Sequence, residues 1–145
     1  NKSGGTATLS GNASVAGNLN VSGGIFDLSS FSANRATAGG TISVANGATL
    51  KIGGNSSFPV NYTTHTLGAT SAVDYAGASQ IAPNEAYGHL NLSGTGTTTL
   101  PNTAMTVAGN LTLSGSATAD TRAAVLPGKA EAKVELILLS ALEGG

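Results

Sequence analysis

The sequence is poor in the side chains that carry most protein chemistry. None of its 145 residues is cysteine or tryptophan, 4% are aromatic and 9% are charged. Without cysteine the chain has no disulfide framework, no thiolate metal site and no cysteine nucleophile. A formal net charge of −1 provides no basic patch for nucleic acid or an anionic membrane surface, so we expect no nucleic-acid partner.

Long apolar runs and an export signal are also missing. The longest apolar run is Leu136–Leu139, far shorter than the roughly 20 residues that cross a bilayer, so we expect no membrane insertion by this segment. The chain starts at Asn1 without a basic region followed by an apolar region. We therefore interpret it as a processed or excised piece, so that any export signal would lie outside the given sequence.

What remains is rich in glycine and in recurring aliphatic residues. The chain contains 21 glycines and has a mean hydropathy of +0.14, whereas disordered chains combine low hydrophobicity with high net charge. Short segments alternate between apolar and small polar residues, as half-buried strands do. We expect a loop over Gln80–Tyr87, which contains Pro83, and an irregular corner or a small insertion at Phe58-Pro59 and Tyr62.

Two stretches, SVAGNLNVSGG and TVAGNLTLSGS, nearly repeat each other. They begin at Ser14 and Thr106, and the offset of 92 is four times 23. A fixed period with Gly-Asn corners is typical of a β-solenoid, in which stacked coils share one core. We predict matching corners at Gly17-Asn18 and Gly109-Asn110. A step of 23 in the residue number predicts a structural ladder of Val21, Val44, Leu67, Leu90 and Leu113.

The predicted fold is therefore all-β, with a solenoid of about five coils over 1–121. An immunoglobulin-like β-sandwich is the alternative, since it also has short strands and frequent turns. The tail, 122–145, is rich in helix-forming residues and predicts a C-terminal helical cap or an assembly segment, with a final strand as the alternative. Its apolar helical face comprises Val134, Ile137, Leu138, Ala141 and Leu142.

Two polar groupings follow from the spacing. Glu85, Tyr87 and His89 alternate, which would place them on one strand face, and a coil of the assumed length would bring His65 close to His89. We treat these four residues as a weak polar site for a metal or a sugar, with surface polarity as the simpler interpretation. Lys51 and Asp74 are one period apart and should stack as an outward-facing pair, which tests the register.

No arrangement of residues predicts catalysis, a cofactor site or a metal site. Charged residues before position 122 are scattered in the assumed register, so paired carboxylates for sugar hydrolysis are not predicted. Threonines at 97–99 and in Thr6-Ala7-Thr8 suggest an ice-binding solenoid as a further alternative. The row through Asn20, Ser43, Thr66, His89 and Thr112 is too mixed for a regular lattice.

The stretches TVAGNLTLSGSAT, HLNLSGTGTTTL and SVANGATLKIGG resemble repeats of bacterial autotransporter passengers and filamentous-haemagglutinin-type adhesins. The resemblance implies a right-handed parallel β-helix on the cell exterior. The expected function is a non-catalytic structural or adhesive module that contacts surface glycans or further copies of itself. A carbohydrate-binding or polysaccharide-degrading β-helix is the alternative.

Overall fold

The computed structural model describes residues 3–120, and all regular elements in this range are β-strands. The paired strands are parallel throughout, so the chain forms the predicted solenoid of about five coils, and the antiparallel sandwich is wrong. No helix in this range is long and apolar enough to cross a membrane. The predicted cap or assembly segment, 122–145, lies outside the described residues.

The strands are β1 (Ser3–Thr8), β2 (Ala13–Ser14), β3 (Leu19–Val21), β4 (Gly23–Asp27), β5 (Ala33–Asn34), β6 (Thr41–Val44), β7 (Thr49–Ile52), β8 (Thr64–Leu67), β9 (Ala72–Tyr75), β10 (Ser79–Ile81), β11 (Ala86–Tyr87), β12 (His89–Leu92), β13 (Thr97–Thr99), β14 (Thr106–Val107), β15 (Leu111–Leu113) and β16 (Thr118–Asp120).

One sheet, which we call the spine, runs through every coil in the order β1-β4-β7-β9-β12-β15. Its strands alternate between aliphatic and polar residues, because one face lies against the core and the other faces outward. In β7, for example, Leu50 and Ile52 are fully buried while Lys51 lies on the outer face. The main inward column of the spine consists of Phe26, Leu50, Val73, Leu90 and Leu111.

The other faces of the solenoid are interrupted partway along the stack. Sheets β2-β5 and β3-β6-β8 end before sheets β10-β13-β16 and β11-β14 begin. Within residues 3–120, no strand pairing joins β8 to β11. We call this boundary, between segments 57–67 and 81–87, the seam.

Unequal coil lengths explain the seam. From Ala7 along the inward column to Leu111, each pairing advances the residue number by 19, 24, 23, 17 and 21 in turn. The fourth coil, from Val73 to Leu90, is too short to follow the same path around the outer faces as the third coil, which begins at Leu50. Strand pairing on those faces therefore stops at the seam and resumes one coil later.

The same variation corrects the predicted ladder. Val21, Val44 and Leu67 pair as predicted on β3, β6 and β8. Leu90, however, pairs with Val73 and Leu111 on the spine, and Leu113 pairs with Leu92. One ladder through all five predicted residues is therefore wrong, because the short fourth coil changes the register.

The two near-repeats occupy different faces of the solenoid. The Leu19–Val21 segment forms β3, whereas Leu111–Leu113 forms β15 on the spine. The Gly-Asn corners at Gly17-Asn18 and Gly109-Asn110 therefore do not match, because the offset between the repeats is not a whole number of these unequal coils. The expected loop over Gln80–Tyr87 is also corrected, since short strands lie on both sides of Pro83.

Candidate functional site

Two members of the predicted polar site meet across the seam. His65 Nδ1 lies 2.7 Å from Glu85 Oε1, and His65 Nε2 lies 2.9 Å from the Tyr62 carbonyl oxygen. Carboxylate and carbonyl oxygens only accept hydrogen bonds, so both contacts are satisfied together when both ring nitrogens carry a proton. The contact joins the coil below the seam to the coil above it.

The other two members lie elsewhere, so the predicted shared face is wrong. Tyr87 points inward and is 1% exposed, whereas His89 begins the next strand, where its Nδ1 accepts the Asn110 N–H at 3.0 Å. The chain turns between them at Gly88. A Cβ at Gly88 would clash with the Gly68 carbonyl oxygen, so this corner requires glycine.

Burial dominates the electrostatics of the tyrosines near the seam. The Tyr87 hydroxyl donates to the Pro83 carbonyl oxygen at 2.8 Å and lies 3.3 Å from the Tyr75 hydroxyl. Burial raises the pKa of Tyr75 and the pKa of Tyr87, because the charged phenolate would be desolvated. Burial also raises the pKa of Tyr62, and the nearby Arg35 partly opposes that shift.

A cleft of about 440 Å³ opens at the seam, and its lining is mainly apolar. Ten residues line it: Ser57, Phe58, Pro59, Val60, Asn61, Tyr62, His65, Ile81, Pro83 and Glu85. Val60 is 46% exposed and Ile81 is 66% exposed, and these are two of the three exposed large hydrophobic residues in the described chain. The predicted irregular corner at Phe58-Pro59 and Tyr62 thus forms one wall of the cleft.

Neighbouring polar side chains fix that wall. The Tyr62 hydroxyl donates to the Ala33 carbonyl oxygen at 2.8 Å, and the Arg35 guanidinium lies 6.0 Å from the Tyr62 ring centroid. Arg35 Nη1 also donates to the carbonyl oxygens of Ala16 and Gly17 in the coil below. These contacts hold Tyr62 in its position in the cleft wall.

The amide of Gln80 bridges the seam from inside. Its Nε2 donates to the carbonyl oxygens of Ile52 at 3.0 Å and Ser56 at 2.9 Å, and its Oε1 accepts the Gly77 N–H at 2.7 Å. Gln80 is 4% exposed, so these bonds form away from water. A side chain thus supplies the cross-coil bonds that strand pairing provides elsewhere.

A second polar group lies on the outer face of the spine. Asp27, Lys51 and Asp74 occupy consecutive strands in register, which confirms the predicted stacking of Lys51 beside Asp74. The ion pair, however, joins Lys51 Nζ to Asp27 Oδ2 at 3.2 Å. Asp74 instead accepts the Ser93 hydroxyl at 2.6 Å, and burial raises its pKa despite that bond.

Sequence reasoning missed Asp27, Arg35 and Gln80. Asp27 pairs with Lys51 one position outside the assumed period, so a search at that fixed period passes over it. Charged residues are therefore less scattered than expected. No repeat in the sequence reveals the contacts of Arg35 and Gln80, because these contacts depend on the local path of the chain.

The threonines named for an ice-binding surface lie on different sheets. Thr6 and Thr8 belong to the spine, whereas Thr97–Thr99 forms β13. The row through Asn20, Ser43 and Thr66 is formed on β3, β6 and β8, but His89 and Thr112 lie on the spine. The structure therefore divides the suggested row between two faces.

Comparison with known proteins adds no assignment. None of the protein families, curated proteins or solved structures compared with the chain matches it significantly. Within residues 3–120, no three His, Cys, Asp or Glu side chains are grouped so that they could hold a metal ion.

Proposed function

We propose that the chain is a non-catalytic structural and adhesive module of a bacterial surface or secreted protein, acting through its shape and its surface contacts. The observation that carries this proposal is the continuous spine, which makes an extended scaffold with outer faces of short, mostly uncharged side chains. Solenoids of this kind present long surfaces to partners. The likeness of the Gly-Asn repeats to those of bacterial adhesins supports the extracellular location.

Protease treatment of intact source cells tests the location. With an antibody against the chain, we expect the signal to disappear while a cytoplasmic marker survives. Binding of the full chain to immobilised surface glycans and to itself tests the adhesive role. Protection of the chain in intact cells would contradict the location, and a monodisperse chain that binds neither would contradict the role.

Assembly through 122–145 is part of this proposal. The sequence of this segment contains the apolar residues Val134, Ile137 and Leu138, through which copies would associate. Sedimentation of the full chain should show oligomers, and deletion of 129–145 should abolish them without changing the circular dichroism of the β-solenoid. Equal sedimentation coefficients for both chains would contradict this part of the proposal.

A second candidate function, polysaccharide degradation, is favoured by the column of Asp27, Lys51 and Asp74. Glycosidases use two carboxyl groups, one of them with a raised pKa so that it can act as an acid. Asp74 has that raised pKa, but Lys51 lies between it and Asp27 in the register. Turnover of a polysaccharide panel that is lost in Asp74→Asn would establish this function, and no turnover would exclude it for that panel.

A further inference from the structure

We propose that the edge of β15 is a docking site for this chain's own segment 129–136, which adds there as the next strand of the spine. This inference goes beyond the proposed function, which uses the tail for association of copies but assigns it no place on the solenoid. Association would then fall to Ile137 and Leu138, which follow the segment in the sequence. The inference rests on the edge of β15, on the coil lengths and on the charge pattern of the segment.

The last described strand of the spine, β15, offers an edge for pairing. It pairs with β12, and within residues 3–120 no strand pairs with its other edge. Leu92 lies on β12 and is fully buried, whereas Leu113, its partner on β15, is partly exposed. A strand added at this edge would satisfy backbone N–H and C=O groups and would cover the aliphatic end of the core.

The coil lengths bring the segment 129–136 to this edge. Successive pairings on the spine advance the residue number by 19, 24, 23, 17 and 21. Adding the shortest and the longest of these steps to Leu111 gives 128–135 for the next return to the spine. The chain leaves the described range at Asp120, the end of β16, which follows β15 in the last described coil. The segment therefore lies at the right distance along the chain to pair with β15.

The sequence of the segment has the alternation of a spine strand. Its odd positions are all charged and its even positions are all apolar: Lys129, Glu131, Lys133 and Glu135 alternate with Ala130, Ala132, Val134 and Leu136. Strict alternation of this kind is typical of a half-buried strand. The inward residues of β15 are the odd-numbered Leu111 and Leu113, and an odd step, which most of the coils have, would place the even, apolar residues inward.

The charges of the segment favour this strand over the helical cap that composition predicts. Residues four apart are neighbours on a helix, so Lys129 would lie beside Lys133 and Glu131 beside Glu135. Like-charged pairs at this spacing destabilise a helix. Residues two apart are neighbours on one face of a strand, so lysine and glutamate would alternate in sign along that face. The same four charges therefore oppose a helix and are compatible with a strand.

A cysteine scan of the full chain tests the proposal. Thr112→Cys, at an exposed position of β15, is combined in turn with one cysteine at each position from 129 to 136. Mass spectrometry after oxidation in dilute solution measures the yield of the disulfide within one chain. If the last observed step of 21 is repeated, Thr112 faces Lys133. We expect the highest yield with Lys133→Cys, and yields at least about tenfold lower with Ala132→Cys and Val134→Cys, whose side chains would point to the other face.

Asn91→Cys with Lys133→Cys is the matched control. Asn91 pairs with Thr112 in register, so it would lie two strands away from the docked segment. Two strand spacings are about 9.6 Å, beyond the Cα separation of about 4.4–6.8 Å that disulfides allow. This pair should therefore remain reduced. Circular dichroism checks that each variant keeps the β-solenoid.

Four results would overturn the proposal. The first is equal yield at odd and even positions, and the second is a yield that peaks every three or four positions, as a docked helix would give. The third is a disulfide that joins two copies, and the fourth is no disulfide at any position. Oligomers and glycan binding are measured separately, so each of these results leaves the proposed function standing.

Discussion

Single asparagine side chains join neighbouring coils in turns and at the ends of strands. In each case the amide oxygen accepts a backbone N–H from the next coil and so satisfies that donor. The pairs are Asn12 with Ser32, Asn18 with Thr41, Asn34 with Val60 and Asn46 with Thr70, at 2.9–3.1 Å. These four asparagines therefore make cross-coil contacts without adding charge.

The buried tyrosine pair makes a prediction at the same scale. In Tyr87→Phe, the Tyr75 hydroxyl loses its acceptor and the Pro83 carbonyl oxygen loses its donor, so we expect unfolding in urea to require about 1–3 kcal/mol less free energy. Tyr75→Phe is the control, because Tyr87 still donates to Pro83. A loss in Tyr75→Phe as large as that in Tyr87→Phe would contradict the proposed direction of these bonds.

The tyrosine pKa values predict the response to alkali. Burial raises the pKa of all three tyrosines above the ordinary value of 10.0, so the folded chain holds protons that the unfolded chain releases. Stability should therefore fall as the pH rises above 10.0. Ultraviolet absorbance should show that the two most strongly shifted tyrosines, Tyr75 and Tyr87, form tyrosinate together with loss of β-sheet circular dichroism. Titration of any tyrosine at pH 10.0 in the folded chain would disagree.

Asp74 predicts a stabilising substitution. Its pKa in the folded chain is raised by burial above the ordinary 3.8, so ionised Asp74 reduces stability once the pH exceeds both values. We expect Asp74→Asn to be more stable than the natural chain at pH 7, with the difference disappearing as the pH falls below 3.8. Asp27→Asn is the control and should not be stabilising, since it removes the ion pair with Lys51. Thermal unfolding across this pH range measures the stability of both variants. If Asp74→Asn were less stable than the natural chain at pH 7, the proposed destabilising effect of burying the ionised carboxylate would be contradicted.

At the scale of elements, strand identity was more predictable than coil length. Apolar and polar residues alternate in sequences such as TLKI and HLNL, and this alternation identifies a strand without information from the rest of the chain. The reason is that successive side chains of a strand point to opposite faces of the sheet. Register in the lower coils was also predictable, as the pairing of Val21 with Val44 shows. The short fourth coil was not predictable from the sequence. A change of coil length leaves the alternation of apolar and polar residues within each strand intact and alters only which strands pair.

The candidate site was predictable only in part for the same reason. The predicted polar site includes both His65 and Glu85, but a fixed period of 23 aligns His65 with His89 instead. The cleft arises from the mismatch between two coils, so no single segment encodes it. Phe58-Pro59 predicts an irregular path, and this segment forms one wall of the cleft, which the sequence did not predict.

Gln80 allows a test of how the seam is held together. Gln80→Met keeps a similar shape but leaves the carbonyl oxygens of Ile52 and Ser56 and the Gly77 N–H without this partner. We expect a loss of about 2–5 kcal/mol in the free energy of unfolding. Ser79→Ala, at an exposed neighbouring position, should change it by less than about 0.5 kcal/mol. Similar urea midpoints for the two variants would show that the bridge is dispensable.

At the scale of the whole molecule, the spine makes a stack of short coils into one body. Each coil contacts mainly its neighbours, so a local change in coil length is tolerated as long as the spine remains paired. The seam is the consequence of such a change, since the spine continues while the outer faces separate. A solenoid can thus acquire a cleft without a separate domain to carry it.

The protein is a parallel solenoid whose fourth coil is shorter than the third, and engineered disulfides can test this arrangement. The natural chain has no cysteine, so each pair is introduced without competing thiols. Adjacent paired strands lie about 4.8 Å apart, within the Cα separation of about 4.4–6.8 Å that disulfides allow. A disulfide therefore reports which residues are neighbours across two coils.

The decisive measurement is mass spectrometry of two oxidised double variants. Asp74→Cys with Asn91→Cys, which pair across the short fourth coil, should form the disulfide. Thr66→Cys with His89→Cys, which a constant coil length would bring together, should not, because Thr66 and His89 lie on different sheets. A disulfide in the second variant, or none in the first, would contradict the claim.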